Sequence, residues 1–524
     1  MDRAETPARA ETRETQGRAA LAGFAGSCAL SILAGVTHLL VRSVPFPSVS
    51  IAQAFVGSAS GQVESFFIGI LGHWAQRITL IGSAIVFVLS GAVTGVILHA
   101  IFRHRRIPDW AWWISLLPVW LISIAFYRMP PQFLGRWGFA AVTLPMYLAG
   151  GWVSARGAQQ LREPSEETDE GRRVLLRSLG LGTAGAVLGV VNIGGLLFAR
   201  PDPGNKRLVV SNVKAVPTPA PAAGDAAFAH IAGLTPEVTS NSAFYVVDES
   251  LVDPDIDPTA WRLAVNGLVN RPLSISYPAL KRMPAIERYQ TLACISNQVG
   301  GHLMSNAKWV GVPLREILDK AGVRSGAVEV VFRAAGGYTD SLSIDQAMDP
   351  STLIAIGMNG HVLPRAHGFP ARLLSVGTFG MKNPKWLTSI EVVNRPYQGY
   401  WEQRGWTKQA VTKTSSRIDV PTNGAVVGKE VVLAGVAFAG DRGISRVEVS
   451  PDNGRTWNSA QLRTALGKYT WSQWLYRWTP TRSGKILVGV RAVDGTGKLQ
   501  IAQIANPFPS GSSGYDGIEV LSSA

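Results

Sequence analysis

The stretch TLACISNQVGG, residues 291–301, holds one of only two cysteines in 524 residues. Cys294 follows an apolar, strand-like start and precedes Ser-Asn and Gly-Gly, so it is expected where a strand enters a loop. A thiolate at such a point binds soft or high-valent metals, and one cysteine is enough if a cofactor supplies the other ligands. The plain alternative is a buried inert cysteine, the commoner fate of this residue type. A second stretch, HGFPARLLSVGTFGMKNPKWLTSIEVV, covers residues 367–393. His367 and Arg372 flank its Gly-Phe-Pro turn, and Lys382 and Lys385 lie in a Gly- and Asn-containing loop before a β run. One histidine, one arginine and two lysines around tight turns suit an anionic ligand bearing phosphate, met by backbone N–H groups that glycine exposes. Solvated surface charge is the alternative for either lysine. AFYVVDES (243–250) and AAGGYTDSLSIDQAM (334–348) add Tyr245 and Tyr338, each of which alone reads as a core aromatic.

These residues need elements to hold them. WRLAVNGLV (261–269) and EVVFRAA (329–335) read as strands, and VPLREILDKAGV (312–323) as a short helix with one buried face, closed by Gly322. The expectation is an α+β domain over residues 233–400, preceded by a Pro/Ala linker at 201–232. From about 412 the runs KEVVLAGVAFA, ISRVEVSPDNGRTW, YTWSQWLYRWTP and GKILVGVRAVDGTGK alternate between Asn-Gly, Ser-Gly and Asp-Gly turns. They predict an all-β immunoglobulin-like sandwich over 401–524, without the disulfide, of the kind used for dimerisation or interaction.

The N-terminal part differs in composition. Hydrophobic residues make up 46% of the chain and charged residues 16%, but residues 18–200 are largely apolar. Five runs, at 18–40, 78–102, 110–127, 137–153 and 174–199, are long enough to cross a bilayer, which requires about 20 residues, the third and fourth with the help of flanking tryptophans. The expectation is therefore a five-helix transmembrane region after a cytoplasmic tail at 1–17, in a multi-pass protein of the cell membrane. Arg9, Arg13 and Arg18, the basic cluster at 103–106, and Arg156, Arg162, Arg172 and Arg173 then fall on the cytoplasmic side, and everything after residue 200 lies outside the cytoplasm. The paired arginines at 171–178 resemble a twin-arginine export signal. Because so many basic residues flank apolar runs, the net charge of +14 does not point to nucleic acid. Two cysteines exclude a disulfide framework, a four-cysteine zinc site and cysteine-ligated iron–sulfur clusters. His38, His73 and His99 raise a secondary expectation of haem b between helices.

Taken together, TLACISN, NAKWVGVPL and HGFPARL…GMKNPKWL, in this order, resemble the sulfite oxidase family of molybdopterin oxidoreductases. The resemblance runs over about residues 235–400 and continues into the sandwich, where VSPDNGRTW and VRAVDGTG resemble the family's dimerisation domain. It implies that Cys294 ligates molybdenum, that His367, Arg372 and Lys382 hold the pterin's phosphate and ring system, and that Tyr245 lies beside the pterin. Tyr338 would be the tyrosine of the substrate pocket and Lys308 a basic residue near substrate. The implied activity is oxygen-atom transfer on a small substrate such as sulfite or a sulfoxide. Electrons would pass to or from a separate cytochrome or quinone partner, or the membrane segment. A homodimer through the sandwich is also implied. One departure bears on substrate: after the cysteine, sulfite oxidases commonly read Ala-Gly-Asn-Arg-Arg, whereas residues 295–299 read Ile-Ser-Asn-Gln-Val. That loss favours a neutral sulfoxide over sulfite, with His302 and Lys308 restoring part of the charge. Two rival classes stay open at this point. One is a cofactor-free, membrane-anchored interaction protein, the other a membrane electron-transfer protein using haem or quinone.

Overall fold

The computed structural model describes residues 7–40, 74–102, 105–125, 136–160, 201–247, 253–421 and 425–523. The chain forms two compact units, one helical and N-terminal, the other holding nearly everything after residue 200. The helical unit contains α1 (Pro7–Leu40), α2 (Trp74–Ile101), α3 (Asp109–Trp113), α4 (Leu117–Ala125) and α5 (Arg136–Gln160). Small residues let α1 approach its neighbours. A Cβ on Gly23 would stand 1.9 Å from the Gly91 carbonyl oxygen, and one on Gly26 would stand 1.9 Å from Ser154 Oγ. Leu30, Phe87, Leu116 and Tyr147 fill the space these crossings leave.

The five-helix transmembrane region and the multi-pass membrane localisation are not upheld. Among the described residues, no helix is long and apolar enough to cross a membrane. The third apolar run breaks at residues 114–116 into helices of 5 and 9 residues, far short of the roughly 20 a bilayer needs. The fifth run and the paired arginines at 171–178 lie outside the described residues, as does His73.

In the second unit, two sheets build the α+β domain. Their strands are β1 (Val213–Ala215), β2 (Arg262–Gly267), β3 (Leu273–Ser276), β4 (Ala285–Ala293), β5 (Met304–Pro313), β6 (Glu329–Ala334), β7 (Thr339–Ser343), β8 (Leu353–Met358), β9 (His361–Val362), β10 (Arg372–Leu374) and β11 (Leu387–Val393). One sheet runs β1-β4-β5-β8-β10, with β9 beside β8, and the other β3-β2-β11-β6-β7. Every residue of β8 is buried, as its unbroken LIAIGM run requires of a strand covered on both faces. Helix α6 (Tyr277–Arg282) is capped by the Ser276 hydroxyl, which accepts from the Ala279 N–H. Helix α7 (Leu314–Ala321) buries Leu314, Ile317, Leu318 and Ala321, one face at helical spacing. It ends at Gly322, whose φ of 69° is the left-handed conformation that glycine adopts without strain. Trp261, Trp309 and Trp386 are fully buried in the core between the sheets. Each removes on the order of 200 Å² from water, about 5 kcal/mol by transfer accounting.

The hairpin of β4 and β5 matters most for the site. Its last pair is Ala293 opposite Met304, so residues 294–303 form the loop at its end. After a short helix α8 (Ile344–Met348) and the remaining strands of this domain, the chain enters a sandwich. One sheet pairs β12 (Ser415–Val420), β14 (Val431–Phe438), β18 (Ser472–Trp478) and β17 (Gln461–Leu462) in that order. The other runs β13 (Ala425–Val426), β20 (Asp516–Ser523), β19 (Gly484–Asp494), β15 (Ile444–Ser450) and β16 (Asn458–Ser459). Leu433 and Trp474 from the first sheet pack with Val447, Val449, Ile486 and Val488 from the second. The Asp-Asn-Gly turn after β15 closes on Asp452, whose Oδ1 accepts from the N–H groups of Arg455 and Thr456.

Candidate active site

Cys294 is the first residue of the hairpin loop. Its N–H donates to Leu303 O at 2.9 Å, and its carbonyl accepts from Asn297 N at 3.1 Å. Asn297 Oδ1 in turn accepts from Leu303 N at 2.9 Å, which folds the loop onto its own base. Gly300 turns the chain with φ 71°. The sandwich holds the far side: Arg417 Nη1 donates to Gly301 O at 2.9 Å, and Ser512 Oγ to Asn297 O at 2.7 Å. The thiol is buried, with its Sγ 2.9 Å from Ser296 Oγ. Burial pushes its pKa up, so the free thiol keeps its proton until a cation displaces it.

A second group of side chains comes from the turns around β10. The imidazole Nε2 of His367 lies 2.8 Å from Asn241 O, and its ring meets Phe244 edge-on. Burial drives its pKa down to about 4, so it is neutral above mildly acidic pH. Arg372 donates from Nη1 to His367 O and from Nη2 to Asn383 O, both at 3.2 Å, and its guanidinium lies over the Trp309 indole. Its buried Nε has no hydrogen-bond partner, and burial lowers its pKa to about 10. Lys385 Nζ donates to Ala366 O at 2.9 Å and stands 4.4 Å from the Trp386 ring centre. Burial holds it well below the usual lysine range. Gly368 makes this convergence feasible: at φ 109°, a Cβ there would press on Lys385 Cβ at 3.0 Å and Arg372 Cβ at 3.1 Å.

Tyr245 joins the two groups. Burial raises the pKa of its phenol, with Cys294 acting in the same direction and Arg372 against it. Gly380 leaves room for its hydroxyl, since a Cβ there would stand 2.7 Å from Tyr245 Oη and 3.3 Å from Ala293 O. Tyr245, Cys294, His367 and Arg372 are thus brought together, as is Lys385. Lys382 faces elsewhere. Its ammonium meets Asp340 Oδ1 at 2.6 Å, Glu402 Oε1 at 2.5 Å and Ser341 O at 3.1 Å. Burial pulls its pKa down, but the two carboxylates outweigh this and hold it above the ordinary value. Tyr338 belongs to this cluster, with its Oη 2.7 Å from Met381 O and 3.1 Å from Asp340 Oδ2.

Lys308 is remote from the thiol. It pairs with Tyr289, four register positions from the Ala293–Met304 pair, or roughly 13 Å along the strand. Its ammonium is ion-paired to Glu287 at 3.1 Å. His302 lies in the loop but near Arg417, and burial lowers its pKa. A cavity of about 40 Å³ adjoins the loop, lined by Asn297, Gln298 and Val299 with Lys413 and Arg417 of the sandwich among others. Sequence reasoning did not choose Lys385 over Lys382, and it missed Asp340 and Glu402. The signal for Asp340 is its place two residues after Tyr338, just inside β7, a spacing at which extended chain brings side chains to one side and at which the two are in contact.

A buried thiol close to the side chains of Tyr245, His367, Arg372 and Lys385 suits a soft metal carried by an anionic cofactor. Known proteins agree. Residues 250–401 match the oxidoreductase molybdopterin binding domain, and residues 401–505 the Mo-co oxidoreductase dimerisation domain. Sulfite oxidase of Gallus gallus is 30% identical over 320 residues, covering 51% of this chain and 69% of the relative. The mitochondrial sulfite oxidase of Mus musculus is 30% identical over 317 residues, or 51% of this chain and 58% of that enzyme. The chain therefore spans little more than half of the mitochondrial enzyme and about two thirds of the Gallus gallus one. An uncharacterised oxidoreductase of Bacillus subtilis (strain 168) is 33% identical over 150 residues, 74% of its length. The fold recurs in the crystal structure of the sulfane dehydrogenase SoxCD from Paracoccus pantotrophus, with a TM-score of 0.50 at 22% identity, over 55% of this chain and 82% of that one.

The chain belongs to the sulfite oxidase family of molybdenum-dependent oxidoreductases, and molybdopterin is its cofactor. Two features of the site fit that group. The orphaned Nε of Arg372 calls for an acceptor, and the buried Cys294 thiol is a soft donor with no competing disulfide.

Proposed function

We propose that the chain catalyses oxygen-atom transfer on a small sulfur compound, with Cys294 as the protein ligand to molybdenum. The observation that carries this reading is the buried thiol at the hairpin end, close enough to Tyr245 to act on its phenol, as Arg372 also does. The bound molybdopterin supplies two-electron redox chemistry at the metal. Arg372 offers its free Nε to the cofactor's phosphate. Lys385 and the neutral His367 orient the same end, and Trp309 fixes the guanidinium plane. Tyr338 faces substrate, with Lys382 placing the loop through Asp340 and Glu402 rather than through the phosphate.

The loop after the cysteine sets substrate preference. Residues 295–299 carry no charge, and Ile295 and Ser296 are buried. Lys308 is already paired with Glu287, which leaves it little pull on an anion. These features favour a neutral sulfoxide, reduced by electrons from a separate partner protein or quinone, over sulfite. Residues 401–505, which match a dimerisation domain, provide the surface for a homodimer.

The test is purified protein from a host that makes the cofactor, assayed for molybdenum and for dye-linked turnover of sulfoxides, sulfite and nitrate. The wild type should hold about one molybdenum per chain and turn over a sulfoxide with a reduced dye. Cys294→Ser should lose turnover while still binding pterin. Full turnover by that variant removes the ligand assignment, and sulfite oxidation without sulfoxide reduction removes the substrate preference.

A further inference from the structure

The cluster of Tyr338, Asp340, Lys382 and Glu402 contains two carboxylates and one ammonium, with side chains of Asp340, Lys382 and Glu402 only 1%, 4% and 3% exposed. Both carboxylates ionised would leave a net negative charge in a desolvated place, a costly arrangement. The oxygens of Asp340 do different work. Oδ1 accepts from Lys382 Nζ at 2.6 Å and from Ser341 N at 2.7 Å. Oδ2 faces Tyr338 Oη at 3.1 Å. A phenol has one hydrogen, and the carbonyl of Met381, 2.7 Å from the same Oη, can only accept. If the tyrosine hydrogen takes the shorter bond to Met381, the contact with Asp340 is satisfied when the carboxyl is the donor. Charge counting asks for one proton on the pair, and because Glu402 accepts on both oxygens, from Lys382 Nζ and from Gly399 N, hydrogen counting places it on Asp340 Oδ2.

We propose that Asp340 is a neutral carboxylic acid into the mildly acidic range, carries its proton on Oδ2 and donates it to the Tyr338 hydroxyl. Asp340 is then a positioning residue for Tyr338. When the carboxyl ionises, Oδ2 becomes an acceptor that competes with Met381 O for the tyrosine hydrogen, so the direction in which Tyr338 points its hydrogen follows pH. The other charged groups near β7 are already committed. Glu329 on β6 accepts from Ser341 Oγ and is ion-paired with Lys408, and Arg333 on β6 is paired with Glu391. Arg404 lies over the Tyr400 ring, which packs against Tyr338. Burial raises the pKa of Asp340 to about 6, Lys382 opposes this and Glu402 adds to it. The role at the site rests on the function proposed above, whereas the protonation itself does not.

The experiment is an infrared titration of the full chain between pH 4 and pH 8, read as wild type minus Asp340→Asn. It needs no turnover, so an inactive enzyme counts against the proposed function and leaves this assignment standing. The expected result is a protonated-carboxyl band that titrates about two pH units above an ordinary aspartate. Tyr338→Phe should shift the frequency of that band, because it removes the acceptor while leaving the core packed. A midpoint at or below pH 4 overturns the proposal, as does a band unmoved by Tyr338→Phe. If Asp340→Asn does not fold, selective carbon-13 labelling of aspartate, with Tyr338→Phe to mark the resonance, gives the same midpoint. In active enzyme, the acid limb of the kcat–pH profile should follow this midpoint and vanish in Asp340→Asn, which a purely structural role would not produce.

Discussion

Replacing Arg372 by methionine should affect the empty and the loaded protein in opposite directions. In the absence of cofactor the guanidinium is buried, its amino groups meet carbonyl oxygens at 3.2 Å, and Nε has no partner. Burial lowers its pKa from the ordinary arginine value to about 10. At ~1.4 kcal/mol per unit, that depression corresponds to about 3 kcal/mol of strain borne by the empty fold. The penalty holds at every pH below about 10, because the arginine is charged in both folded and unfolded chains there. Methionine is unbranched, apolar and uncharged, so protein from a host lacking molybdopterin should melt a few degrees higher as Arg372→Met than as wild type. With cofactor present the variant loses a charge-assisted hydrogen bond worth roughly 1.5–3 kcal/mol. Retention of molybdenum after dialysis should then fall by roughly 10- to 100-fold in affinity. Thermal melts of cofactor-free protein and metal-to-protein ratios of loaded protein are the two assays. A variant that melts below wild type when free of cofactor, and keeps its full metal content when loaded, would falsify the reasoning.

Lys382→Met should cost about 3–5 kcal/mol, because it leaves Asp340 and Glu402 facing each other without a counter-ion. The loss should be smaller at pH 5 than at pH 8, where neither carboxyl can take up a proton cheaply; equal losses at both would refute it. His367 supplies a pH dependence of the opposite sense. Its folded pKa of about 4 lies below the ordinary 6.5, so the unfolded chain binds more protons between those values. Stability is then fully present above about pH 6.5 and lost as pH falls through 4, by ~3 kcal/mol in all. His367→Gln should flatten this part of a urea-unfolding series, and an unchanged slope would count against burial as its cause.

Local pattern revealed much of the α+β domain. The spacing of Leu314, Ile317, Leu318 and Ala321 marked α7, and the switch from apolar run to Ser-Asn-Gly-Gly marked the strand-to-loop junction at Cys294. Hydropathy misled at the N-terminus because it sums apolar residues along the chain without registering where a helix breaks. Here Gly23, Gly26, Gly91 and Gly95 serve helix-on-helix contact, and the third run is cut at 114–116. The lysines of the site were not separable from sequence. Lys382 and Lys385 are three apart in one loop, and only the positions of Asp340 and Glu402, 42 and 20 residues from Lys382, decide which is neutralised. Such pairings depend on tertiary folding, and no local spacing records them.

The loop that carries Cys294 is anchored by its own hairpin on one side and by Arg417 and Ser512 of the sandwich on the other. Thr291, just before the loop, is also tied in, accepting from Trp471 N and donating its own N–H to Tyr469 O. The two domains are therefore poor candidates for independent shuffling. A recombinant that grafts this α+β domain onto a foreign sandwich inherits the cysteine but not the bonds that aim it. Descent should accordingly preserve the two as one unit, because the bonds from Arg417 and Ser512 end on main-chain carbonyls that no side-chain exchange in residues 297–301 replaces.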